Sequence, residues 1–212
     1  MKFDSRSLLL YAVTDRTWLN GRRLYDDVRD AILGGASFVQ LREKNLGYEA
    51  FKYQALELKE LCREHNVPFV INDNVMLAKD VDADGVHVGQ EDMKAGDVRA
   101  LIGPDKILGV SVRTREEALT AEANGADYLG AGAVFHTGSK SDAVDITHEA
   151  LKEICSAVKI PVVAIGGIST KNIRELSGSG IKGVAVISAI FASENIREAA
   201  HELRELAVDV CR

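Results

Sequence analysis

The stretch YEAFKYQALELKELCREHNVPFVIND, residues 48–73, holds two hydrophobic periods in one line. Phe51, Ala55, Leu58 and Cys62 recur at steps of three and four with charges between them, which is the stripe of an amphipathic helix. After His65 and Asn66 the period changes. Pro68 opens a short apolar run, a position where a strand gives up no ladder donor, and the run ends on Asn72 and Asp73. Helix, turn and buried strand therefore follow one another within a single unit.

The same unit recurs along the chain. LLLYAVTD (8–15), GGASFVQLRE (34–43), DADGVHVGQ (82–90), PDKILGVSV (104–112), NGADYLGAGAV (124–134), KIPVVAIGG (159–167) and GIKGVAVIS (180–188) supply seven more short runs rich in Val, Ile, Leu or Gly. NIREAAHELRELAV, near the end, is a second clear helical stripe. Strands alternating with helices imply parallel strands joined by crossovers. Strands apolar on both faces imply a covered sheet. Eight units predict an α/β fold, a closed (β/α)8 barrel with residues 1–212 as one domain. The 212 residues give about 26 per unit, compact for that fold. A doubly wound open sheet is the competitor, but no GxGxxG turn follows the first strand.

Charge and cysteine usage narrow the function classes. A net charge of −6 supplies no general basic field for nucleic acid or an anionic membrane, so an anionic ligand needs local cations. Cys62, Cys155 and Cys211 are odd in number and form no CxxC pair, which indicates neither a disulfide framework nor a zinc site. Asp4 and Arg6 stand where a signal peptide needs an apolar run. The apolar stretches are far shorter than the roughly 20 residues of a membrane span. These features predict a cytoplasmic protein. Oligomeric state is not fixed by the sequence, and a homo-oligomer is compatible with it.

In a (β/α)8 barrel the active site lies at the C-terminal strand ends. Those ends carry Thr14 and Asp15, then QLREK (40–44), Asn72 and Asp73, Gln90 to Asp92, Ser111 and Arg113, FHTGSK (135–140), Gly166 to Ile168, and Ile187 with Ser188. Asp73 and Asp92 end the third and fourth strands. Neighbouring strands run about 4.8 Å apart, so the two carboxylates can meet over one point. Two carboxylates with water and phosphate oxygens are a typical Mg²⁺ set, whereas Ca²⁺ takes more oxygens and zinc prefers His or Cys. The competing role for Asp92 is an N-cap of the helix that follows.

Arg42, Lys44 and Lys140 bring positive charge to the same rim, where Arg grips phosphate oxygens as a fork and Lys acts as a point charge. AIGGIST and VISAI follow the last two strands, where barrels often hold phosphate on backbone amides. Two anion-binding regions result, suited to two phosphorylated ligands or to one ligand with two phosphate ends. His87 lies within a strand and is expected to hydrogen-bond in the barrel interior. His136, in the loop after the sixth strand, is a candidate acid or base or a structural residue.

QLREK, IND, GVHVGQED, GVSV, the TGSK loop and AIGGI, in this order over nearly the whole chain, resemble the thiamine-phosphate synthase family. The resemblance implies that a hydroxymethylpyrimidine diphosphate and a thiazole phosphate combine to give thiamine phosphate and pyrophosphate. It implies that Gln40, Leu41, Arg42, Glu43, Lys44, Asn72, Ser111 and Lys140 contact the pyrimidine diphosphate. Mg²⁺ would sit on Asp73 and Asp92. Thr137, Gly138, Ser139, Gly167, Ile187 and Ser188 would contact the thiazole phosphate. Arg42, Lys44, Ser111 and Lys140 are expected to carry catalysis, chiefly by stabilising the departing diphosphate. The family loop commonly reads Pro-Thr-x-Thr/Ser-Lys. Here His136 replaces the proline and Gly138 follows the threonine. Two rival readings on the same barrel are a thiazole tautomerase, which would use an acid/base such as His136, and a non-catalytic regulator that binds thiamine phosphates.

Overall fold

The structure, a computed structural model, describes residues 4–90, 92–136 and 145–211. The stretch 48–73 forms α2 (Tyr48–Glu64) and β3 (Phe69–Asn72), with the helix burying Phe51, Ala55, Leu58, Leu61 and Cys62. The other strands are β1 (Leu10–Val13), β2 (Phe38–Leu41), β4 (Gly85–Val88), β5 (Ile107–Val112), β6 (Tyr128–Gly132), β7 (Val162–Ile165) and β8 (Gly183–Val186). All pair in parallel with their sequence neighbours, and β8 pairs with β1, so the sheet closes into a (β/α)8 barrel.

Helices α1 (Leu24–Gly34), α3 (Val75–Asp80), α4 (Ala95–Ile102), α5 (Arg115–Ala123) and α6 (His148–Ala157) fill the other crossovers up to β7. After β8 the chain forms α7 (Ser188–Phe191) and then α8 (Ile196–Val210), which packs along α1 and closes the ring. Between β7 and β8 there is only a 3-10 turn, Ile173–Leu176. The segment after it, SGSG, contains Gly178 and Gly180 in left-handed backbone, which stops a helix from continuing. Among the described residues no helix is long and apolar enough to cross a membrane.

Side chains alternate across each strand and build two cores. The outward set, including Leu10, Val39, Leu41, Ile71, Val86, Leu108 and Leu129, packs under the helices. The inward set is smaller: Tyr11, Val13, Phe38, Val70, Ile107, Tyr128, Val163 and Ala185, over Leu8. The rings of Tyr11, Phe38 and Tyr128 meet edge to face, with centroids 4.6 to 5.9 Å apart. This aromatic plug fills the barrel below its midpoint and leaves the C-terminal mouth to smaller and polar side chains.

Candidate active site

A cavity of about 270 Å³ opens at the C-terminal mouth. On one side stand Arg42, Lys44, Asn72, Asp73, Gln90, Asp92, Ser111 and Arg113, from the ends of β2 to β5. Opposite are Gly166, Gly167 and Ile168 after β7, and Ile187 and Ser188 after β8. The floor is Gly130, Gly132, Ile165 and Ala185. One half is charged. The other half is small, apolar and rich in accessible backbone.

The strand pleat sorts the QLREK segment. Gln40 and Arg42 point inward, while Leu41 and Glu43 point outward. Gln40 is buried under the cavity and donates to the Tyr11 hydroxyl. Leu41 is fully buried against the helices. Glu43 lies beside Arg16, with its side chain 2% exposed, and lines a second rim cavity of about 460 Å³ together with Asp15, Trp18 and Leu46. Of the five residues, then, only Arg42 and Lys44 face the main cavity. Burial raises the Glu43 carboxyl above its ordinary range despite the nearby Arg16 charge.

Arg42 is only 6% exposed and is held in place. Its Nη1 donates to Asp15 Oδ2 at 3.1 Å, and Asp15 accepts the Thr17 N–H at 2.9 Å. Burial works to raise the Asp15 carboxyl, but the Thr17 bonds and the Arg42 charge outweigh it, so Asp15 sits below the ordinary carboxylate range. The Arg42 N–H donates to Thr14 Oγ1 at 3.0 Å. A charge on a long side chain is thereby fixed at the rim at little further cost in side-chain entropy on binding.

Asp73 is a non-glycine residue in left-handed backbone, φ 60°. Its N–H donates to the His87 carbonyl at 2.8 Å, and Asn72 Nδ2 donates to its Oδ2 at 2.5 Å. Strained backbone of this kind is held by its surroundings and concentrates at functional sites. Asp92 accepts the Gly89 N–H on Oδ2 at 2.7 Å. The helix after it begins at Ala95 with Lys94 as N-cap, so Asp92 does not cap it. Two carboxylates from adjacent strand ends thus line one cavity. Among the described residues no group of three His, Cys, Asp or Glu side chains could hold a metal. An all-oxygen pair needing further oxygens from water and phosphate suits Mg²⁺ better than zinc or calcium.

His87 and Ser111 meet inside the mouth, with Nε2 and Oγ 2.9 Å apart. Gly109, on β5 two residues before Ser111 and opposite His87, makes this geometry fit: a Cβ there would lie 2.2 Å from Tyr128 Cζ and 2.5 Å from His87 Nδ1. Gly167, in left-handed backbone, passes under the loop after β6, where a Cβ would meet the His136 carbonyl oxygen at 2.5 Å. The His136 side chain is 94% exposed and does not line the cavity. Thr137, Gly138, Ser139 and Lys140 lie outside the described residues, as does Glu91. Arg113 lies at the mouth as its strand-end position predicted, although no specific role was assigned to it; the floor of Gly130, Gly132, Ile165 and Ala185 was not anticipated. Glycines carry no chemistry of their own, and only their inward register on β6 could have signalled a floor.

A family model described as thiamine monophosphate synthase matches residues 10–190. The chain belongs to this family. The thiamine-phosphate synthase of Alkaliphilus oremlandii (strain OhILAs) is 51% identical over 195 residues, covering 92% of this chain and 93% of that one. The thiamine-phosphate synthase of Clostridium tetani (strain Massachusetts / E88) is 50% identical over 194 residues, with the same coverage. Among solved structures, the thiamine phosphate pyrophosphorylase of Pyrococcus furiosus superposes with a TM-score of 0.90 at 44% identity, covering 97% of this chain and 98% of that one. As a member of the thiamine-phosphate synthase family, the chain is an enzyme of the transferase class. Neither the tautomerase nor the regulator reading gains support from these relatives.

Proposed function

We propose that this enzyme joins 4-amino-5-hydroxymethyl-2-methylpyrimidine diphosphate to hydroxyethylthiazole phosphate in a Mg²⁺-dependent reaction, releasing pyrophosphate. The observation that carries the reading is the division of one cavity into a charged half (Arg42, Lys44, Asp73, Asp92) and a backbone-rich half (Gly167, Ile187, Ser188). The diphosphate belongs to the first half and the thiazole phosphate to the second. The free state of all three cysteines supports work in the cytoplasm.

In this reading the thiazole ring nitrogen bonds to the pyrimidine methylene carbon as the carbon–oxygen bond to the diphosphate breaks. The bonding electrons leave on pyrophosphate. The attacking nitrogen has no proton to lose, so the site needs no general base, and His136 in solvent is consistent with that. Charge builds on the departing oxygens, where fixed cations lower the barrier most. Arg42, pre-set by Asp15, forks onto those oxygens, and Lys44 adds a point charge. Asp73 and Asp92 would hold Mg²⁺, which when bound supplies further positive charge to the diphosphate. Gly167 and the first amides of α7 receive the thiazole phosphate without a side chain in the way. The small floor leaves room for flat rings to approach each other.

The test is calorimetric binding of the pyrimidine diphosphate with and without Mg²⁺. Binding should be tight only with the metal, and Asp92→Asn should remove most of that dependence. Equal binding in excess chelator would defeat the assignment of Asp73 and Asp92.

A further inference from the structure

Beneath the cavity five side chains from five strands form one hydrogen-bonded line across the barrel. Gln40 Nε2 on β2 donates to the Tyr11 hydroxyl on β1. The Tyr11 and Tyr128 hydroxyls are 2.8 Å apart. The Tyr128 hydroxyl on β6 is 2.9 Å from His87 Nδ1 on β4, and His87 Nε2 is 2.9 Å from Ser111 Oγ on β5. Gln40, Tyr11, Tyr128 and His87 are buried, and of the five only Ser111 reaches the cavity. Nothing in the bond-making step uses Tyr11, Tyr128 or His87.

The line has a direction. A phenol carries one hydrogen. Tyr11 accepts from Gln40, so its hydrogen goes to Tyr128. Tyr128 then gives its hydrogen to His87 Nδ1. A neutral imidazole that accepts at Nδ1 carries its proton on Nε2, which donates to Ser111 Oγ. The hydrogen left over is the serine's own, and it is free to point into the cavity. Burial raises both phenols above their ordinary range, which keeps every hydrogen in the line in place. In a dry interior such bonds polarise and strengthen one another.

We propose that Gln40, Tyr11, Tyr128 and His87 are positioning residues that fix Ser111 as a hydrogen-bond donor to the substrate, and that this polarity selects a ring with a bare nitrogen beside its amino-bearing carbon. The inference rests on the pyrimidine diphosphate reading and deepens it. In an aminopyrimidine that ring nitrogen is an acceptor. In the 4-oxo counterpart, in its lactam form, the same nitrogen carries a hydrogen, so Ser111 can meet it only by accepting on its second lone pair, and the serine's own hydrogen then loses its partner. An unmade bond of this kind is expected to weaken binding about tenfold.

Two measurements on the full chain test it. In the wild-type protein, long-range ¹⁵N–¹H correlation spectra should show His87 wholly as the Nε2–H tautomer. Titrations with the 4-amino and 4-oxo pyrimidine diphosphates should show the roughly tenfold preference for the amino ring. Tyr128→Phe, which keeps the packed ring, should mix the His87 tautomers and shrink the preference to about twofold or less. Tyr11→Phe should act in the same direction. Ser111→Ala should lose the preference but keep the tautomer. An Nδ1–H signal in wild type, or an undiminished preference in Tyr128→Phe, would overturn the relay while leaving the substrate assignment standing. Failure of wild type to bind either diphosphate would remove the substrate assignment and the selectivity claim with it, and the Nε2–H signal from the same sample would separate that outcome from a misread hydrogen-bond line.

Discussion

Replacing Arg42 with Met tests whether one buried cation both supports the fold and drives the reaction. The guanidinium is 6% exposed and the Asp15 side chain 16% exposed, so Arg42→Met leaves a largely buried carboxylate without its partner. Stranding one member of a fully buried pair costs about 3–5 kcal/mol. Asp15 keeps its Thr17 bonds and some access to water, so a loss of about 2–3 kcal/mol is expected. For a domain of this size each kcal/mol moves Tm by about 2–4 °C, which gives a fall of about 4–12 °C. Adding Asp15→Asn should return much of that loss, because the stranded charge disappears. On the catalytic side, a forked pair of charge-assisted bonds to the diphosphate is worth about 3–4 kcal/mol. Its removal should lower kcat/KM by about 10²–10³-fold. The assays are calorimetric melting and steady-state formation of thiamine phosphate. A kcat/KM within threefold of wild type would refute the role given to Arg42. Melting losses that add in the double variant instead of offsetting would refute the pairing argument.

Three further outcomes follow from the same geometry. Gly109→Ala should destabilise by about 1–3 kcal/mol or more in urea unfolding, since its methyl overlaps Tyr128 and His87; an unchanged midpoint would show that the interior is looser than described. Ser188→Trp should raise KM for the thiazole phosphate at least tenfold while leaving pyrimidine diphosphate binding within about twofold (about 0.4 kcal/mol); losing both ligands equally would contradict the division of the cavity. Glu43→Gln should raise Tm at neutral pH, and the gain should shrink as pH falls through the raised folded value of Glu43. The sign follows because a carboxyl whose folded value is raised destabilises the fold when ionised and relieves it on protonation; a gain that grows toward acid pH would reverse the argument.

The architecture was legible because its signal repeats. The stripe Phe51, Ala55, Leu58, Cys62 and the run after Pro68 each announce an element, and eight such units leave few ways to close a sheet. The exception lies after β7, where Gly178 and Gly180 end the crossover helix early. The lining of the candidate site was legible where it is built from polar side chains at strand ends, as at Arg42, Asp73, Asp92 and Ser111. It was less legible where direction matters. A motif read as five consecutive letters hides the pleat that turns Leu41 and Glu43 away from the cavity that Arg42 and Lys44 face. The hydrogen-bonded line from Gln40 to Ser111 joins residues from five strands, and no local pattern announces contacts between positions up to 117 residues apart. The floor of Gly130 and Gly132 works by what those residues lack.

The most direct test of the proposed reaction is a stoichiometric turnover assay. Purified protein with both substrates and Mg²⁺ should release thiamine phosphate and pyrophosphate in a one-to-one ratio, and excess chelator should stop both. Pyrophosphate release without thiamine phosphate, undiminished turnover in chelator, or no reaction with both substrates bound would contradict it.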